Sequence, residues 1–293
     1  MKVHIARMSF ISSVQKILVK HEYEGTPVEL AEKLLVGNTQ YTPKNKKGFV
    51  GLIFGGFIFD TDGRLLSAKL GKSKEIMIPK YDDNKKDFLD KKDTFNPHVY
   101  CLWDRDEQAI LLEKNTSIFQ NYENVLRSIE EHLNNQLAIY ELRVFIEPLT
   151  EKTDFWKAIT TYKHLYEVAF ELHMPNLFGE TQKDIKNILE SIRETYNATG
   201  VSDQISNPDG RLNIPTNDPK VSTNLEWITK GGGSWSIKGK KVDGKRKVKI
   251  TSTRSQNIKV EETIEIENYD VEEIKSILSI LGPKYSVKKT QED

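Results

Sequence analysis

The longest run in which apolar spacing changes cleanly from two to 3.6 and back lies between Pro97 and Leu149. Val99, Cys101 and Trp103 alternate with Tyr100, Leu102 and Asp104. Asp104-Arg105-Asp106-Glu107 supplies turn residues, and Ala109 to Glu113 returns as a second apolar run. That pattern predicts a β-hairpin. After it, Tyr122, Leu126, Ile129, Leu133 and Leu137 stand three or four apart with Glu123, Arg127, Glu130 and Glu131 between them. This is the stripe of an amphipathic helix packed on the hairpin. Ile139 to Ile146 then reads as a strand closed by Pro148, whose nitrogen has no hydrogen to give a ladder. The succession predicts an α+β fold of two-layer hairpin-helix-strand units.

Composition narrows the class. A chain of 293 residues has room for two domains with real cores, and 37% hydrophobic with 29% charged residues is the balance of a soluble globular protein. Its 43 basic and 43 acidic residues cancel, so any surface for an anionic partner must be local. The single cysteine, Cys101, excludes a disulfide framework or a cysteine-rich zinc site within one chain and points to a reducing, cytoplasmic setting. The opening MKVHIARMSFISSV lacks the apolar core of a secretory signal. The most apolar run, Gly48 to Phe59, is about twelve residues, short of the roughly twenty that span a bilayer, so no membrane insertion is expected.

Along the chain, residues 1–80 read as an amino-terminal α+β domain. It comprises a strand from Val3 to Ile11, a helix capped by Thr26-Pro27-Val28-Glu29, and a hairpin of Phe49–Phe59 with Leu65–Leu70, where Gly51, Gly55 and Gly56 suggest a bulge. Residues 81–96 lie in a charge-dense tract, Lys80 to Asp93, that reads as a solvated linker. Residues 97–200 form the central hairpin-helix-strand domain. It ends with a helix through Phe155 and Ile159, a strand from Tyr166 to Met174, and a helix opened by Thr181 with Asp184. Residues 201–224, rich in Asn, Asp, Pro and Gly, read as a long loop. Residues 225–293 read as an antiparallel β-meander and a closing helix. In the meander Leu225–Ile228 pairs with Trp235–Lys240 across Gly231–Gly233, Val242–Lys245 turns into Arg246–Thr253, and Ile258 to Ile266 adds a strand. The helix is capped by Asp270 and ended by Gly282-Pro283.

The last segment carries the chain's strongest chemical signal. Lys238, Lys240, Lys241, Lys245, Arg246, Lys247, Lys249, Arg254 and Lys259 stand against one acid, Asp243, a local charge of plus eight, and seven acids follow from Glu261 to Glu273. With Val248 and Ile250 facing a core, Lys245, Lys247 and Lys249 fall about 6.6 Å apart on the opposite face, a row able to follow a phosphate backbone. The alternative is a solvated face balanced by the next strand's acids.

Other candidates are weaker. None of the six histidines has a second ligand at helical metal spacing, and His98 and Cys101 fall on opposite faces of a strand, so neither a metal nor a cofactor is expected. A nuclease set drawn from Asp104, Asp106, Glu113 and Lys114 fails because glutamate and lysine must be one residue apart to share a face. The glycines at 48, 51, 55, 56 and 231–233 match no phosphate-loop order.

The segment PHVYCLWDRDEQAILLEK, the helix after it and a strand ending Ile146-Glu147-Pro148-Leu149 resemble the DNA-binding A component of the temperate-phage Rex exclusion system. They are similar also to uncharacterised proteins of bacterial defence islands with the same layout. The resemblance covers residues 97 to 175. It implies sequence-nonspecific binding to double-stranded DNA by a homodimer in phage defence, without enzymatic activity. Two further readings stand beside it. One is a defence nuclease or other enzyme whose site leaves no linear motif. The other is an interaction subunit that meets a phage protein or a second defence protein through residues 201–224.

Overall fold

In the computed structural model, which describes residues 3–12, 22–43, 47–60, 63, 65–173, 183–241, 244, 246–252 and 270–285, strand β1 (Val3–Ser12) is buried along nearly its whole length. Apolar residues on both faces of a strand require a layer on each side. Ala6, Met8 and Phe10 enter a core with helices α1 (Pro27–Gly37) and α2 (Tyr122–Leu137), while Val3 and Ile5 enter another with the closing helix α6 (Val271–Tyr285). Each fully buried Leu, Ile, Val or Phe in these cores contributes roughly 1.5–3 kcal/mol.

β1 belongs to a seven-stranded sheet with β2 (Gln40–Tyr41), β3 (Leu52–Phe59), β4 (Leu65–Gly71), β7 (His98–Asp104), β8 (Ala109–Glu113) and β9 (Leu142–Pro148). The order is β2-β3-β4-β7-β8-β1-β9, every pairing is antiparallel, and the sheet curls into a half-barrel. The ladder between β3 and β4 shifts register between Gly55 and Ile58, at the bulge the glycines suggest, and Gly56 there has φ +60°. α1 carries the full capping box between Thr26 and Glu29 with Pro27 in its first turn.

The fold is α+β, and its sheets are antiparallel. The central hairpin, helix and strand are present as elements, but β1 stands between β8 and β9, so they share a sheet with the amino-terminal strands. Arg7 of β1 is the polar exception in the core. Its Nη1 donates to the Glu107 carbonyl at 2.5 Å and its Nη2 to the Tyr285 carbonyl, while the Tyr285 hydroxyl donates to Asp104 Oδ2 at 2.9 Å. This network carries α6 through Gly282-Pro283 to Tyr285, past the end that glycine and proline predict.

The tract read as a linker forms strands β5 (Lys74–Asp82) and β6 (Asp87–Phe95), an antiparallel hairpin arm that pairs with no other strand among the described residues. Its residues are solvated as expected, but with neither face buried they show none of the apolar alternation that betrays a strand.

A second sheet, β11-β10-β12-β13, holds β10 (Tyr162–His173), β11 (Gly200–Ser206), β12 (Gly233–Lys241) and β13 (Lys247–Thr251). Helices α3 (Lys152–Thr160), α4 (Lys183–Tyr196) and α5 (Pro219–Thr229) contribute Phe155, Ile185, Leu189, Trp227 and Ile228 to the core under it, against Val168, Phe170, Trp235 and Ile237. Two sequence expectations change here. Residues 201–224 are not one loop, because Val201, Asp203 and Ile205 alternate within β11 and α5 begins at Pro219. Leu225–Ile228 is helical: Asp218 caps α5 by accepting from the Val221 N–H at 2.9 Å, with Pro219 at the first helical position. Among the glycines after it, Gly233 has φ +146°, and a Cβ there would lie 1.9 Å from the Glu171 carbonyl oxygen. The turn at Val242–Lys245, apart from Gly244, and the strand expected over Ile258–Ile266 lie outside the described residues.

Candidate nucleic-acid interface

β12 alternates cleanly, with Trp235 and Ile237 buried in the core and Lys238 and Lys240 on the other face. β13 pairs with it in a register that sets Lys238 opposite Lys249 and Lys240 opposite Lys247. Residues directly opposed across an antiparallel pair share a face, so these four lysines form a compact quartet. Its spacing is about 6.6 Å along each strand and about 4.8 Å between strands. Lys238, Lys247 and Lys249 are exposed and Lys240 is half-buried. Lys241 and Arg246, at the strand ends, are exposed too. Lys245, Arg254 and Lys259, and the acids Glu261 and Glu265, lie outside the described residues. Ile250 packs on the core as expected, whereas Val248 is 39% exposed, because it stands over Gly239, which offers no side chain, on the last described strand of the sheet.

Two neighbours of the quartet escape sequence reading. Tyr166 sits where β10 shifts register between Leu165 and Glu167, and Lys247 Nζ lies 3.8 Å from the centroid of its ring, a cation–π contact. Glu167 pairs with Lys238 on the same face. Beyond the alternation around β10, no residue-level signal announces that bulge.

At one end the lysine face meets a cavity of about 350 Å³, lined by Lys249, Ser234 and Thr251 from the sheet and by carboxylates of α2 and β9. Glu130 Oε2 accepts from the Ile146 N–H at 2.8 Å, and burial pushes the carboxyl up to about 7. The neighbouring Glu147 pushes the same way, while the bond from Ile146, His173 and Arg143 oppose it. Glu147 Oε1 lies 3.2 Å from His173 Nε2, and the His173 ring stacks on Phe145 at 4.2 Å. Arg127 pairs with Glu123 at 2.7 Å. The acids beside the basic face therefore come from the central helix and strand, in addition to whatever Glu261–Glu273 supplies. The charge runs of sequence reading miss this, since Glu130 and Glu147 look like ordinary surface positions.

The other sequence candidates have structural roles. Asp104 is fully buried on the Arg7 network, and Glu113 Oε2 accepts from the Tyr100 N–H at 3.0 Å. Burial pushes the Cys101 thiol up to about 12. His132, whose pKa burial lowers, holds the Asn38 carbonyl at 2.7 Å. Among the described residues no group of three or more His, Cys, Asp or Glu side chains is placed to hold a metal ion. In a larger cavity of about 650 Å³ beside α1, Arg105 is bound to Glu32 at 2.5 Å and Glu29 to the Thr26 cap.

No protein-family profile matches the chain, and no curated protein is similar to it.

Proposed function

We propose that this chain is a non-enzymatic, largely sequence-nonspecific double-stranded DNA-binding protein that acts as a homodimer in bacterial anti-phage defence. One observation supports the binding surface above all. Lys238 and Lys249, and Lys240 and Lys247, stand directly opposite each other on adjacent strands, where like charges are destabilising. Glu167 beside Lys238 and the Tyr166 ring under Lys247 offset part of that repulsion, and a phosphate backbone would neutralise the four charges together and release its counterions. The lysine ammonium groups of the quartet are point charges on flexible stems, suited to phosphate contacts that carry no sequence information. Tyr166 beneath Lys247 gives the face a planar element, while Lys241 and Arg246, exposed at the strand ends, have the opposite parity and add charge only at the end of the sheet. The defence setting and the homodimer rest on the resemblance of residues 97–175.

The test is binding of a labelled duplex across a salt series. With about four to six phosphates neutralised, log affinity should fall against log salt with a slope of roughly −4 to −5. A variant with Lys238, Lys240, Lys247 and Lys249 all changed to glutamine should lose most of that slope while keeping the fold. Unchanged affinity and slope in a folded quadruple variant refute the surface, and cleavage that tracks the protein refutes the non-enzymatic reading.

A further inference from the structure

Among the described residues the β5–β6 arm is a sheet of two strands by itself. Its strands pair with each other, and each of their residues is exposed or half-buried. Met77 is 57% exposed, Tyr81 50%, Phe88 69% and Phe95 53%. An isolated two-stranded hairpin is marginally stable in water, and its unpaired edges are templates for another strand. Between Lys74 and Phe95 six lysines face six acids, so the arm has no net charge to direct it toward a polyanion.

The two edges of the arm differ. Pro79, opposite Asp90, has no N–H, and a proline is accommodated in a ladder where its nitrogen faces outward. Pro79 and Asp90 are then a pair that exchanges no hydrogen bonds, and both direct their backbone groups away from the hairpin. The outer edge of β5 thus lacks a donor at its middle. The outer edge of β6 has no proline, and Phe88, Asp90, Lys92 and Thr94 direct N–H and C=O groups along it at a period of two; the Phe88 and Thr94 N–H groups donate to Asp87 Oδ1 at 2.7 Å and Asp93 Oδ1 at 2.9 Å, exposed bonds that a partner strand would replace.

We propose that β6 pairs antiparallel with β6 of a second copy of this chain, about a two-fold axis through Lys91. The inference deepens the homodimer part of the reading above, and is independent of DNA binding. Lys91 is the middle residue of the nine in β6, so this register pairs the strand with itself from end to end. It sets Asp90 of each copy opposite Lys92 of the other, and Phe88 opposite Thr94, all four being residues whose backbone faces the new edge. Two arms become one four-stranded sheet with closed symmetry. On one of its faces each Phe88 then lies between Thr94 of the other copy and its own Tyr81, which it already meets edge to face at 5.3 Å. The two Lys91 side chains form the one like-charged pair, on the axis and in solvent.

Cysteine placement tests the register directly, because the chain's single cysteine, Cys101, is buried. Facing residues of a pair without hydrogen bonds have Cα atoms about 4.5 Å apart, within disulfide range. Lys91→Cys should oxidise to a covalent dimer, and Thr94→Cys, off the axis, should not. In sedimentation at micromolar concentrations the wild type should be a dimer. Asp90→Pro, which removes an outward N–H, should be a monomer with its arm intact. Asp90→Lys should weaken dimerisation at least tenfold, and Asp90→Lys with Lys92→Asp should restore it. A dimer that survives Asp90→Pro and gives no Lys91→Cys disulfide overturns the arm interface alone. A monomeric wild type overturns the interface and the homodimer, and if that monomer still binds duplex with the expected salt slope the DNA reading stands.

Discussion

Lys240 and Lys247 face each other across adjacent strands, and the residue paired with Lys240 on its other side is His164. Lys240→Glu replaces a like-charged pair by an opposite one, and cross-strand pairs of this kind differ by roughly 0.2–1 kcal/mol. The variant should therefore unfold at equal or slightly higher urea than the wild type at low salt, with the difference shrinking as salt is added. Duplex affinity should fall at the same time. A clear loss of stability together with unchanged DNA binding would show that the quartet serves the fold.

Glu130 makes stability depend on pH. Its folded pKa, raised to about 7 by burial, lies above its unfolded value near 4.5, so between these limits the folded state holds more protons. Its contribution is therefore greatest below pH 4.5, and is lost as pH rises through about 7. The upper bound is about 3 kcal/mol, reduced by water in the adjoining cavity. Glu130→Gln still accepts from the Ile146 N–H and should be the more stable protein at pH 8, with the difference gone near pH 4.5. Urea midpoints at pH 5, 6.5 and 8 measure it, and parallel curves for the two proteins would refute the assignment.

What sequence reveals here depends on whether a residue's surroundings are sequence-local. The α1 capping box, the β7–β8 alternation and the apolar stripe of α2 were legible because each is imposed within a few residues. The β5–β6 arm was not, since neither of its faces is buried. α5 was hidden by the neighbouring glycines, although Asp218-Pro219 is an N-cap followed by a helix-starting proline, and it would have identified the helix. Of the candidate site, the lysines were legible as a charge run. Their opposition in pairs was not, because it depends on the register of β12 against β13. Tyr166, Glu130 and Glu147 come from segments 70 or more residues away in sequence from the strands they approach.

Arg7 ties the first strand to the last helix. It is almost fully buried, and desolvation lowers its pKa against the opposing pull of Glu107 and Asp104. Removing one side of such a network leaves the rest uncompensated, at a cost of about 3–5 kcal/mol. Arg7→Met should lose about that much. Tyr285→Phe, which deletes only the hydroxyl bonded to Asp104, should lose about 1–3 kcal/mol. Denaturation of both variants and their double mutant should show strong non-additivity. Strictly additive losses would mean that the two contacts are independent.

Gly233 limits what β12 tolerates where it leaves α5. Its φ of +146° is one that side-chain-bearing residues rarely adopt, and an added Cβ would meet the Glu171 carbonyl oxygen at 1.9 Å. That oxygen belongs to the β10 backbone, which cannot move without opening the β10–β12 ladder, in which Glu171 pairs with Ser234 and Leu172 with Gly233. Gly233→Ala should therefore cost more than the roughly 1 kcal/mol of conformational strain alone. Since the ladder also fixes Lys238 and Lys240, duplex binding should weaken even though no charge has changed. Gly37→Ala, where an added Cβ has nothing within 4 Å, is the control and should leave both stability and binding near the wild type. Hydrogen exchange of the β10 and β12 amides reads the local effect, and unchanged protection in Gly233→Ala would refute the strain argument.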